Sequence, residues 1–210
     1  VVVGRTGSGK SSLVGLMNRL MDPTSGRVLL DGVDLRQWDV QALRASVGTV
    51  PQDPFLFSDS IADNIAFGSL NADRAEVERQ AELADVADDI RGFPQGFDTI
   101  VGERGVTLSG GQKQRVSIAR ALMKHPPVLL FDDALSAVDT ETEVTILSNL
   151  KARLEGMTAV LITQRLSCVH LADRIIVLDN GQVVQQGSHS ELVTQPGLYA
   201  ELYALQSQKS

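Results

Sequence analysis

A chain of 210 residues, 43% hydrophobic and 21% charged, suits one compact domain with room for a helical insert. Its formal net charge of -7 argues against wrapping a nucleic-acid backbone, a task that needs a basic stripe. No run approaches the roughly 18 apolar residues of a membrane span, and the single cysteine, Cys168, cannot form an internal disulfide, which fits a reducing compartment and a small buried apolar residue.

Val1-Val2-Val3 reads as the tail of a buried strand with no initiator methionine before it, so the sequence reads as a fragment. Gly4-Arg5-Thr6-Gly7-Ser8-Gly9-Lys10-Ser11-Ser12 follows, and it fits the G-x-x-x-x-G-K-[ST] pattern in the strand, loop and helix context that pattern requires. Glycines there let backbone amides close round a β-phosphate with no Cβ in the way, Lys10 reaches the β and γ oxygens, and Ser11 can ligate Mg²⁺. The bland alternative is a glycine-rich turn with no ligand. Leu13, Leu16, Met17 and Leu20 recur at helical spacing, and Asp22-Pro23 with Thr24-Ser25-Gly26 predicts the helix end.

Residues 27–30 and 33–35, turned at Asp31-Gly32, predict a hairpin; a short helix over 40–44 and a strand over 47–50 lead to Pro51-Gln52-Asp53. A glutamine beyond a strand end is usually surface polar, but after a phosphate loop Gln52 becomes a candidate whose amide oxygen ligates a metal or its water. Residues 61–67 and 72–86 predict helix with a solvated charged face, an insert broken at 92–96. Residues 99–105 read as a short loop in which Glu103 and Arg104 are by default solvated charges.

Leu108 to Asp139 is the richest stretch. Leu108-Ser109-Gly110-Gly111-Gln112 opens a helix, where outward amides and the helix dipole favour an anion. In that helix Val116, Ala119, Leu122 and Met123 predict a core face, with Lys113, Arg115 and Lys124 solvated. Val128 to Phe131 predicts a strand closing in Asp132-Asp133, a pair able to hold a divalent cation and a water. Val144, Leu147, Leu150 and Leu154 mark another helix, 158–162 a buried strand ending at Thr163-Gln164-Arg165, and 174–178 with 182–184 a hairpin about Asp179-Asn180-Gly181. Two helical pieces, from Ser190 and from Leu198, finish the chain. Strands alternating with helices and interrupted by one helical block predict an α/β fold with an inserted subdomain.

The order Gly4 to Ser12, Gln52, Leu108 to Gln112, Val128 to Asp133, Ser136 to Asp139 and Gln164 resembles the nucleotide-binding domain of ABC transporters over nearly the whole chain. Residues 51–58, with Ile61 and Asn64-Ile65, and the 99–105 segment resemble the exporter type, in which the latter is a coupling loop. The resemblance implies a P-loop NTPase fold: a RecA-like core over 1–52 and 116–210 with a mainly parallel sheet, an α-helical subdomain over 53–115, and a small antiparallel β portion truncated at the N-terminus. It implies two such domains paired head to tail around two ATP molecules. The loop residues Gly4, Arg5, Thr6, Gly7, Ser8, Gly9, Lys10, Ser11 and Ser12 would then bind phosphates, and Ser11, Gln52 and Asp132 would hold Mg²⁺. Ser109, Gly110, Gly111 and Gln112 would contact the partner's γ-phosphate, and Asp139 would carry signals across the dimer. The implied partners are a second nucleotide-binding domain and exporter transmembrane domains in the same full-length chain, at the cytoplasmic face of the plasma membrane, with no nucleic acid. Trp38, Tyr199 and Tyr203 read as packing residues, because the family's adenine-stacking aromatic precedes the phosphate loop.

Two positions depart from the family pattern. Asp133 stands where most members have a glutamate as general base, and Gln164 where they have a histidine near the γ-phosphate. A base works within about 2.6–3.2 Å of its proton, and a displacement near 1 Å costs about a hundredfold. Gln164 donates a hydrogen bond but has no titratable proton. The pairing resembles the degenerate-site half of a heterodimeric exporter, so the site on this chain's own loop is expected to bind ATP and hydrolyse it slowly. Two other classes compete: a non-hydrolytic ATP clamp regulating a partner, and a soluble ABC ATPase acting on nucleic acid. The acidic charge, the compact Gln52 to Ser109 spacing and the 99–105 loop weigh against the latter.

Overall fold

The computed structural model describes residues 1–69, 72–102, 105–151, 156–167 and 169–207. Cys168, Glu103, Arg104 and Leu154 lie outside the described residues. In chain order the elements are β1 (Val2–Gly4), α1 (Lys10–Met17), β2 (Leu29–Leu30), β3 (Val33–Asp34), α2 (Val40–Ser46), β4 (Val47–Val50), α3 (Ile61–Ala66), α4 (Arg74–Leu83), α5 (Ala87–Arg91) and α6 (Gly110–Leu122). They continue with β5 (Val128–Asp132), α7 (Thr140–Lys151), β6 (Thr158–Ile162), β7 (Ile175–Asp179), β8 (Gln182–Gly187), α8 (His189–Thr194) and α9 (Leu198–Ser207). The chain divides into two compact units, Val1–Val47 with Val160–Ser210, and Gly48–Ala159.

In the first unit β1 is the middle of a parallel ladder. Val2 faces Ile162 of β6 and Ile176 of β7, and Gly4 faces Leu178. Successive side chains of a strand point to opposite faces. Val2 accordingly joins Val14, Ile162 and Leu178, while Val3 joins Leu166, Val169, Ile175, Val177, Leu192 and Tyr199. Burial on both faces is what a parallel strand requires, and it explains the unbroken valine run. β8 adds to β7 in the antiparallel sense, and β2 and β3 form a separate antiparallel pair. The helix α1 stops earlier than its leucine spacing predicts. Arg19 takes a left-handed φ of 49°, the Leu20 amide bonds back to the Gly15 carbonyl, and Leu20 is left 70% exposed. The face α1 buries is Lys10, Val14 and Gly15, set by the strand core beneath it.

In the second unit β4 neighbours β5, and the centre of β5, Leu129 to Phe131, is buried. Helix α6 packs against α3 and α4. Its buried stripe is Gln114, Val116, Ser117, Ile118, Ala119, Ala121 and Leu122. The helix expected over 72–86 is broken. Asp85 enters the left-handed region at φ 54°, the Val86 amide returns to the Ala81 carbonyl, and α5 starts afresh at Ala87. Arg115, expected to be solvated, has a side chain only 16% exposed; it bonds the Asp85 carbonyl and the Asp89 carboxylate across that break. Among the described residues no helix is long and apolar enough to cross a membrane.

Candidate functional site

The loop from Gly4 to Ser12 is built where β1 stops. A Cβ on Gly4 would lie 2.3 Å from the Leu178 carbonyl oxygen and 2.6 Å from Ser8 Oγ, so only glycine lets the chain turn there. Gly9 takes φ 102° and admits α1 with no side-chain cap and no acidic residue in its first turn. An N-terminus of that kind favours an anion through its amides and its dipole. Lys10 is buried, and its ammonium donates to the carbonyls of Gly4 at 2.8 Å and Arg5 at 2.9 Å, with Ser8 Oγ at 3.5 Å. Those bonds hold a positive charge inside the loop. Arg5, Thr6 and Gly7 at its rim, and Ser11 and Ser12 on the first turn of α1, are exposed.

Gln164, beyond the end of β6, meets this loop directly. Thr6 Oγ1 donates to Gln164 Oε1 at 3.1 Å. The Gln164 segment is itself held from α9: Gln206 Nε2 donates to the Gln164 carbonyl at 2.6 Å, and Gln206 Oε1 accepts from the Leu166 amide at 2.9 Å. Arg5 forms an exposed ion pair with Glu201 of the same helix at 3.4 Å. Tyr199 and Tyr203 pack in this unit, their rings stacked 6.3 Å apart. Trp38 is half-buried. The structure thus joins Gln164 to the phosphate-loop sequence and makes α9 its support, a role the sequence did not signal.

The other expected residues fall in the second unit. Gln52 is exposed just past β4, and Asp132 ends β5. Asp133 follows in the left-handed region at φ 48°, a conformation aspartate tolerates better than longer side chains do. The turn after it is closed by Ser136 and Val138 amides on the Asp133 and Leu135 carbonyls, and anchored by buried Ala134 and Leu135. Asp139 then caps α7: its Oδ1 accepts from the Thr142 amide at 2.9 Å, which holds its carboxyl below the usual carboxylate range.

Ser109 caps α6 in a reciprocal box. Its Oγ accepts from the Gln112 amide at 3.2 Å, and Gln112 Oε1 accepts from the Ser109 amide at 3.0 Å. Gly110 and Gly111 press on the Ala137 turn; a Cβ on Gly111 would stand 3.0 Å from the Ala137 carbonyl oxygen. Gln114, one turn further on and unremarked in the sequence, bonds the Gln52 carbonyl and the same turn. It had a signal, since it is a polar side chain on an otherwise small or apolar stripe continued by Ile118 and Ala121. Arg120 was missed as well, and Asn64 was noted only as part of the exporter resemblance. Arg120 bonds the Asn64 carbonyl and Oδ1 and the Phe55 carbonyl, while Asn64 braces the Phe57 backbone in both directions. Burial pushes the Arg120 guanidinium down. Phe55, Phe57 and Phe67 form an exposed aromatic cluster over it.

Among the described residues no group of three or more His, Cys, Asp or Glu could hold a metal. The donors expected for magnesium are a hydroxyl, an amide and a carboxylate, from Ser11, Gln52 and Asp132. Such an all-oxygen set fits a hard cation that keeps several waters.

A family model described as "ABC transporter" matches residues 1–136. The chain is 51% identical, over 100% of its length, to an ATM1-type heavy metal exporter of Novosphingobium aromaticivorans, and covers 34% of that protein. It is 51% identical over 98% of its length to the mitochondrial ATP-binding cassette sub-family B member 10 of Mus musculus, covering 29% of it. To the ATP-dependent lipid A-core flippase of Pseudomonas aeruginosa it is 49% identical over 97% of its length, covering 34%. The solved structure of a bacterial Atm1-family ABC exporter with ATP bound superposes with a TM-score of 0.93 at 51% identity, over 98% of this chain and 36% of that one. The chain therefore spans about a third of the length of the relatives it matches. Its α/β fold, its mainly parallel strands and its motif order have one explanation, that the chain belongs to the ABC transporter family as a nucleotide-binding domain of the exporter type.

Proposed function

We propose that this chain binds and hydrolyses MgATP as one of two nucleotide-binding domains that pair head to tail and drive export through transmembrane domains of the same full-length protein. The observation that carries the reading is the Gly4–Ser12 loop, with the Lys10 ammonium held inside it on two backbone carbonyls at the uncapped mouth of α1. In this reading the loop amides and Lys10 bind the phosphates of the substrate ATP. Ser11, Gln52 and Asp132 hold magnesium, which would supply charge neutralisation at the phosphate oxygens. Asp133 orients and deprotonates the attacking water, and Gln164, aligned by Thr6, donates to the γ-phosphate. Ser109, Gly110, Gly111 and Gln112 serve the ATP on the partner's loop; the exposure of Ser109 and Gly110 supports that role. Functionally the chain divides into a nucleotide-binding core at 1–52 and 116–210 and a helical subdomain at 53–115. The exposed Phe55, Phe57 and Phe67 cluster on the latter supports a docked transmembrane partner. The exporter would place this domain at the cytoplasmic face of a membrane.

Asp133 and Gln164 make this chain's own site the slower of the two, in a heterodimer whose partner carries the usual glutamate and histidine. Single-turnover hydrolysis of γ-labelled ATP by the full transporter tests the reading. Removing the partner's glutamate should leave ATP bound at this chain's loop with little release of phosphate. Full-rate hydrolysis there would sink the slow-site assignment. Failure to bind ATP at all would sink the whole reading. Complete loss of hydrolysis with ATP retained would make this site a clamp.

A further inference from the structure

Gln114 is 2% exposed, yet both ends of its amide are bonded, to two segments distant in the chain. Its Oε1 accepts from the Ala137 amide at 2.9 Å. Its Nε2 donates to Ser136 Oγ at 3.2 Å and to the Gln52 carbonyl at 3.3 Å. The amide can face only one way, because exchanging its nitrogen and oxygen would set NH₂ against the Ala137 N–H and leave the Gln52 carbonyl without its donor. The three partners are 23, 22 and 62 residues away in the chain. One side chain on α6 therefore holds both the loop that carries Gln52 and the turn that leads to Asp139. The same turn leans on the signature glycines, with the Ala137 carbonyl at 3.0 Å from a Cβ built on Gly111.

The physical consequence follows from burial. A buried primary amide that loses its partners keeps its full desolvation cost. A shift of the Gln52 loop that breaks the Gln114 donation is therefore resisted unless α6 or the Ser136–Ala137 turn moves with it. A buried polar group with all its bonds made is a specific joint between elements, whereas an apolar side chain of the same size would let them slide.

We infer that Gln114 is a positioning residue that couples the Gln52 loop, the Ser136–Asp139 turn and the signature end of α6, so that the state of one nucleotide site is registered at the other. This rests on the paired-domain reading above. Within it, Gln52 belongs to this chain's own ATP, while Ser109 to Gln112 and Asp139 face the partner's. Gln114 touches neither nucleotide and acts through these three segments.

The test uses the full transporter and compares Gln114→Met, Ser136→Ala and Ser136→Thr with wild type, reading ATP affinity, kcat, KM and the Hill coefficient for ATP. Q114M keeps the volume and removes all three bonds. It is expected to lower kcat about tenfold, less than the roughly hundredfold that a 1 Å misplacement of reacting groups costs, with KM close to wild type and the Hill coefficient falling to one. S136A should show part of that loss and S136T should restore it, since only the hydroxyl matters. A merely structural role would lower the melting temperature and leave the Hill coefficient unchanged in the folded fraction. If Q114M hydrolyses with wild-type kcat and cooperativity, the inference is overturned. Should Q114M not fold, the S136A and S136T pair decides, and wild-type cooperativity in S136A overturns it. Nucleotide-dependent cross-linking of the two domains in the wild type separates the two levels: its absence overturns the pairing and the coupling together, its presence with cooperative Q114M overturns the coupling alone.

Discussion

Thr6 and Gln164 are 158 residues apart in the chain, and the Thr6 hydroxyl donates to the Gln164 amide oxygen at 3.1 Å. In this arrangement the amide oxygen is occupied at the loop and its NH₂ is turned elsewhere. A histidine at the same position would accept from Thr6 through one ring nitrogen and present the other as donor.

Gln164→His is accordingly expected to raise hydrolysis at this chain's own site several-fold and to give it a pH dependence near about 6.5, the ordinary histidine range. Pre-steady-state phosphate release across pH 5.5–8 would check this. An unchanged rate and a flat profile would mean that position 164 has no part in the chemistry.

Asp133 sits at φ 48°, where its short side chain costs little. Asp133→Glu lengthens the reach by one methylene at a small backbone cost. It should raise the single-turnover rate at this site by about ten- to a hundredfold if the carboxylate stands back from its water by about 1 Å. ATP affinity should not change. The measurement is quenched-flow hydrolysis with the partner's glutamate removed.

Gly4→Ala pushes a methyl against the Leu178 carbonyl oxygen at 2.3 Å and against Ser8 Oγ at 2.6 Å. Both the ladder between β1 and β7 and the loop must shift, at a cost of about 3 kcal/mol, the upper end for overpacking. Nucleotide binding should fall with stability. Urea denaturation alongside ATP titration would measure both, and a variant of wild-type stability would contradict the packing described here.

Burial pushes the Tyr199 hydroxyl up to about 12, from an ordinary 10.0. Below pH 10 the folded and unfolded chains both carry the proton, so the stability tied to it is fully present. As pH rises from about 10 to about 12 the unfolded chain loses the proton first, and stability falls. Tyr199→Phe removes that alkaline loss. It also removes the 2.8 Å bond to His189 Nδ1, at about 1 kcal/mol near neutral pH. Thermal melts of both proteins between pH 7 and 11 should therefore converge as pH rises.

What the sequence determined by itself is what local chemistry dictates. Strands β4 and β6 occupy the residues their apolar runs predict, 47–50 and 158–162, since short runs bounded by polar or turn-forming residues have little alternative. The Gly4–Ser12 loop and the helix start after Ser109 were legible because glycine spacing and a Ser-Gly turn ahead of a helical pattern are backbone instructions, whereas the Ser109–Gln112 capping box emerged only in the structure. Tertiary structure decided the rest. Leucine spacing could not choose which face α1 buries, because Val2, Ile162 and Leu178 select Val14. Nor could composition reveal that Arg115 bridges a helix break at Asp85, or that Gln206 holds the Gln164 segment 42 residues away. Those contacts depend on which elements the fold brings side by side, and hydrophobic periodicity carries no record of a partner that distant. Gln114 lies between the two cases: the sequence places an amide on a buried stripe, and only the packed chain shows that it ties α6 to the Gln52 loop and the Ser136–Ala137 turn.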